Sequence, residues 1–159
     1  MEFHHNQDLK EVNRIYRECD SLYHEIALKI GLSDSAFSIL YTVYEMGDGC
    51  LQKDICTSNS ISKQTISSSI RKLIREDYLF LKPGKGRDMH IFLTEKGKKL
   101  TAETIIPVVE MENRILESMT PEENRLFIEL NRKYLVLLRE NVKNLQPRRL
   151  KAADEEVST

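Results

Sequence analysis

A chain of 159 residues and 18.5 kDa has room for one domain, or for one domain with a dimerisation extension. Hydrophobic residues make up 40%, which excludes wholesale disorder. No stretch approaches the ~20 apolar residues that a membrane-spanning helix needs. The formal net charge of -1 hides an asymmetry. Residues 1–50 carry four Lys/Arg against nine Asp/Glu, residues 51–99 eleven against five, and residues 100–159 nine against eleven. A basic middle between acidic flanks points to an anionic partner that meets the middle alone.

In chain order, apolar residues from Leu9 through Val12, Ile15, Tyr16, Cys19, Leu22, Tyr23 and Ile26 to Ile30 recur at three- and four-residue steps and predict a helix over 8–30. Gly31 suits its left-handed terminus. Ser33 or Asp34 caps a second helix to Met46, which is expected to bury Phe37, Leu40, Val43 and Tyr44. Leu51–Thr57 reads as a short packed helix broken by Asn59 and Ser60. Ser62 then caps a longer helix, 63–77, whose Ile66, Ile70, Leu73 and Ile74 face inward. Residues 78–81 and 89–93 predict two strands joined by the basic turn Lys82-Pro83-Gly84-Lys85-Gly86-Arg87-Asp88. Thr94 caps a helix to about Met119, with a bend expected at Pro107. Thr120-Pro121-Glu122-Glu123 carries cap, first-position proline and glutamate three residues after the cap, the start of a last helix. Beyond Pro147 the chain is polar and reads as a frayed tail, 146–159.

This order is a winged helix-turn-helix. The short helix braces a second one, whose exposed first two turns fit a major groove ~12 Å wide. Gln64 suits bidentate pairing with adenine, and Ser62, Thr65, Ser67 and Ser68 suit bases or phosphates. Lys63, Arg71 and Lys72 supply charge to the backbone. Lys82, Lys85 and Arg87 at the hairpin tip are placed to straddle the backbone and reach the adjacent minor groove.

Other chemistry finds little support. Three cysteines cannot all pair within one chain, and Cys19, Cys50 and Cys56 lack zinc-site spacing. Cys50, at the start of the short helix, could have a lowered pKa there, but all three read most simply as packing residues. His4 and His5 sit at a terminus, His24 and His90 stand apart in sequence, and neither a metal nor a cofactor is expected. No nucleophile-base order or phosphate-cradling loop occurs, so an enzyme is not expected. The N-terminus lacks a basic region followed by an apolar one, and a cytoplasmic protein is the expectation.

Ile61-Ser62-Lys63-Gln64-Thr65-Ile66-Ser67, with Arg71-Lys72-Leu73 and Tyr78-Leu79, resembles the recognition helix of the MarR family of bacterial regulators. Residues 87–97, above all Leu93-Thr94-Glu95-Lys96-Gly97, resemble that family's wing and the helix after it. Two places depart from the pattern. Lys85 stands where an aspartate usually precedes the wing arginine, and Asn59-Ser60 replaces the usual apolar residue and glycine of the turn.

The resemblance implies a mainly α chain with a DNA-binding lobe over 33–99, dimerisation helices from 8–32 and 100–145, and a hairpin wing. It further implies a homodimer on a pseudo-palindromic duplex site, acting as a repressor of transcription. A small effector would bind between the dimerisation helices and the lobe, near Tyr16, Tyr23, Phe37 and Tyr41. An adaptor or an RNA-binding protein of the same fold is the alternative. The first would want an apolar recognition face, and the second exposed aromatics for stacking.

Overall fold

The computed structural model describes residues 6–58, 61–86 and 88–145. The expected turn residues Asn59 and Ser60, Arg87, the two N-terminal histidines and the polar tail lie outside them. Eight elements follow one another: α1 (Gln7–Lys29), α2 (Asp34–Met46), α3 (Gln52–Ser58), α4 (Lys63–Arg75), β1 (Leu79–Pro83), β2 (Met89–Leu93), α5 (Glu95–Glu117) and α6 (Pro121–Val142). Among the described residues no single helix is long and apolar enough to cross a membrane. The chain divides into two compact units, the boundary falling between Glu112 and Asn113.

The first unit holds the core. Ile39, Leu40, Ile55, Ile66, Leu79, Ile91 and Ile105 are fully buried or nearly so. They come from α2, α3, α4, the hairpin and α5, and Ala27 of α1 joins them. The core therefore does not stop at the edges of 33–99, because Ile105 and Val108 of α5 close one side of it. On α2 the buried residues include Phe37, Leu40 and Val43 as expected, whereas Tyr44 is exposed and Ile39 takes the inward place. On α1 only Ala27 is buried, so most of its apolar stripe faces outward.

Helix ends follow local chemistry. Gly31 sits at φ 74, and the Leu32 N–H donates to the Ala27 carbonyl at 2.9 Å, the pattern of a left-handed terminus. α4 stops two residues earlier than the sequence pattern suggests. Asp77 adopts φ 61 there, and the Tyr78 N–H donates back to the Leu73 carbonyl at 2.9 Å. An aspartate thus fills the place that glycine usually takes, which sequence periodicity does not reveal. The Thr94 hydroxyl accepts from the Gly97 N–H at 2.9 Å and donates to the Asp77 carbonyl at 2.6 Å, tying the start of α5 to the end of α4.

β1 and β2 pair antiparallel with Leu79 opposite Leu93 and Pro83 opposite Met89. β1 runs over 79–83 rather than 78–81, since Pro83 ends it and needs no ladder donor at the tip. Residues 49–51 add a further edge. The Gly49 N–H donates to the Ile91 carbonyl at 2.8 Å, and the Ile91 N–H donates to that of Cys50 at 2.9 Å. Leu51 completes a bridge to His90.

In the second unit, Thr120 and Glu123 form the expected capping box. The Thr120 N–H bonded to the Glu123 carboxylate is the main cause holding that acid below its ordinary range. α6 buries none of its residues. Leu126, Phe127, Leu130, Leu137 and Val142 are each about half exposed or more.

Candidate nucleic-acid interface

α4 is amphipathic by spacing. Ile66, Ile70 and Leu73 are buried, four and then three residues apart, and the opposite side is exposed. Ser62 caps it, its hydroxyl accepting from the Thr65 N–H at 3.1 Å and lying 2.8 Å from the Thr65 hydroxyl. The Ser68 hydroxyl donates to the Thr65 carbonyl at 2.8 Å. Arg71 Nη1 donates to the Ser67 hydroxyl at 2.9 Å, and Lys72 lies 3.9 Å from Glu76. Several expected contact residues are therefore engaged within the helix itself. Ser67 is half-buried rather than outward-facing.

Lys63, Gln64 and Arg75 make no side-chain hydrogen bond or ion pair among the described residues and are exposed. Arg75 belongs to this exposed face, although the sequence reading does not include it. Its place three turns after Gln64 on a helix, with Arg71 one turn before it, is a signal that residue spacing carries.

The hairpin stands beside this helix in sequence and in packing order. Its tip turns through Gly86 at φ 69, with the Gly84 N–H donating to the Asp88 carbonyl at 2.8 Å. Lys85 is exposed at the tip. Lys82 is not freely hydrated as its charge suggests. Its ammonium lies 4.8 Å from the centre of the Phe92 ring and 5.5 Å from that of Phe80, and the two rings stack at 5.4 Å. The Asp88 carboxylate accepts from Lys53 Nζ at 2.9 and 3.1 Å, joining the tip to α3 and raising the lysine pKa. His90 Nδ1 lies 2.7 Å from the Gly49 carbonyl, which can only accept, so that nitrogen carries the proton.

A second feature lies in the same unit. Tyr23, Phe37 and Tyr41 line a cavity of about 480 Å³; Tyr16, expected with them, does not. Phe37 sits 6.5 Å from Tyr23 and 5.7 Å edge-on from Tyr41, ring centre to ring centre. Both tyrosine hydroxyls donate to Glu112, Tyr23 at 2.6 Å and Tyr41 at 2.5 Å. Burial first, and then the bond to Glu112, push the Tyr23 phenol up to about 12 and raise Tyr41 as well. Sequence alone does not single out Glu112, which reads there as one of a solvated pair with Glu110.

The cysteines do not form a reactive set. α3 begins at Gln52, so Cys50 lies outside its first turn, and burial, then Asp54, raises the thiol pKa. The lowering that a helix start suggests is thus reversed. Cys56 packs against the core and Cys19 is exposed.

A MarR family model matches residues 30–87, which run from the end of α1 to the wing tip. Over residues 30–87 the chain is similar to the MarR family, and its winged helix-turn-helix fold is shared with solved MarR family regulators. A MarR family regulator from Neisseria meningitidis is 25% identical, with 89% of this chain and 100% of that one covered and a TM-score of 0.72. A MarR transcriptional regulator from Methanosarcina mazei Go1 is 24% identical over 89% of this chain and 94% of that one, at a TM-score of 0.59. Staphylococcus aureus MepR in complex with DNA is 23% identical over 86% and 99%, at 0.64. The last two likenesses speak to fold. None of the curated proteins matches the chain. In this winged helix-turn-helix, α4 occupies the recognition-helix place and β1–β2 the wing.

Proposed function

We propose that the chain is a homodimeric transcriptional regulator, a repressor acting in the cytoplasm on a pseudo-palindromic duplex site and released by a small ligand or stress signal. The observation that carries this reading is the exposed face of α4. Gln64, Arg71 and Arg75 stand opposite the buried Ile66, Ile70 and Leu73, and no aromatic bulk obstructs entry into a groove. Base readout falls to Gln64 with Ser62, Thr65 and Ser68. Backbone contact falls to Lys63, Arg71, Lys72 and Arg75, with Lys85 and Arg87 at the wing. The structure of MepR on DNA lends support, since this chain shares its fold.

Dimerisation is supported by α1 and α6. Leu9, Ile15, Leu22, Leu126, Leu130 and Leu137 are all exposed in the single chain, which is more apolar surface than a small monomer usually leaves to water. A two-fold dimer presents two copies of α4 and so reads an inverted repeat. The test is a gel-shift panel of duplex DNA, single strands and RNA. Retention of duplex alone supports the reading. Preference for single strands or RNA supports the RNA-binding alternative, and retention of none supports the adaptor.

A further inference from the structure

The cavity beside Tyr23 and Tyr41 combines two features of independent origin. Its walls are aromatic, from Tyr23, Phe37 and Tyr41, and its volume of about 480 Å³ falls within the range of small-molecule sites. Its charge is of one sign. Asp20, Asp34, Glu45 and Glu112 line it, and neither lysine nor arginine does. The one basic lining group, His24, is held by Asp34, with Nδ1 2.9 Å from the carboxylate. Asp20 and Glu45 have no ion pair among the described residues.

We infer that this cavity takes an organic cation, an aromatic or branched ammonium whose charge lies over the Tyr23 and Tyr41 rings and between Glu112 and Glu45. Ring faces attract a cation through their negative quadrupole. The carboxylates add an attraction that is stronger away from bulk water. An anionic ligand meets the same carboxylates as repulsion; the tyrosine pKa values, raised first by burial, are raised further by Glu112, which disfavours a second negative charge beside it. Glu112 also links α1 and α2 to α5 through its two phenol bonds. A cation that draws on this carboxylate therefore acts on contacts that join three helices of the first unit. The assignment rests on this cavity being the effector site proposed above.

Calorimetric titration of the full chain with (2-naphthylmethyl)trimethylammonium, 2-naphthylmethanol and 2-naphthoate tests it. The cation should bind about tenfold or more tighter than the neutral alcohol, and the carboxylate should bind weakest. Glu112→Gln keeps an acceptor for the phenols while removing the charge, and Glu45→Gln changes an exposed residue outside the core. Each should lower cation affinity about tenfold, and the alcohol's affinity far less. Equal or tighter binding of naphthoate, or cation binding indifferent to both substitutions, overturns the assignment. The same protein is run in parallel on duplex DNA. Duplex binding without cation preference refutes the cation site alone, whereas cation binding without duplex binding refutes the regulator reading alone.

Discussion

At the residue scale the tightest constraint lies at Gly97. A Cβ placed there would stand 1.9 Å from the Tyr78 carbonyl oxygen, which is backbone and held in turn by the Thr94 N–H at 3.1 Å. Neither side can yield without moving α5 away from the hairpin. Gly97→Ala should therefore destabilise the protein by about 1–3 kcal/mol, read from the midpoint of urea unfolding at unchanged slope. A loss within ~0.5 kcal/mol would mean that α5 and the hairpin are not this closely apposed. The phenols give a second test at this scale. Tyr23 is held up to about 12 against an ordinary value near 10, and Tyr41 is raised too. Between these limits the folded chain binds more protons than the unfolded one. The contribution of these two groups is then fully present below about pH 10 and is lost as pH rises through the raised values. Tyr23 and Tyr41 should titrate late by tyrosinate absorbance, and Tyr23→Phe with Tyr41→Phe should remove that late phase.

At the element scale, α4 separates two kinds of contact that the same assay can distinguish. Gln64 lies in the first turn and is unengaged, so Gln64→Ala should cost ~1–3 kcal/mol at the preferred duplex and flatten discrimination at one symmetric pair of positions. Arg75 lies three turns along, where the backbone of a duplex would pass. Arg75→Ala and Lys85→Ala should weaken all duplexes alike and reduce the log–log salt slope by about 0.9 for each phosphate no longer neutralised. Salt titrations on matched and scrambled duplexes decide between these behaviours. If Gln64→Ala also acts uniformly, the register assigned to α4 is wrong.

Much of this element scale was legible from spacing and caps. Ser62, Thr94 and Thr120 cap the helices that they precede, and Gly31 ends α1, because such side-chain and backbone chemistry is local. The features that stayed hidden depend on neighbours remote in sequence. The pairing of 49–51 with β2 is too short to leave a pattern, Lys82 lies over rings that only the hairpin register brings together, and Cys50 is governed by burial. Asp77 at positive φ ends α4 early without the glycine that would announce it.

At the scale of the whole molecule, the apolar residues of α6 have a pattern but no cover within their own unit. Burying them against a second copy would remove leucine side chains from water at roughly 25 cal/mol per Å², which couples folding to association. Leu130→Asp or Leu137→Asp should give monomer or aggregate in sedimentation, while the parent chain sediments as a dimer at micromolar concentration. Each variant would also lose high-affinity duplex binding, because one copy of α4 meets only half a site.

The central claim is that two copies of α4 read a duplex together. Selection of bound duplexes from a random pool, followed by sequencing, tests this most directly. Enrichment of an inverted repeat is expected, its half-sites about one helical turn, ~10 base pairs, apart, and lost in Gln64→Ala. A pool that stays random, or one that yields a single unrepeated half-site insensitive to Gln64, would contradict it.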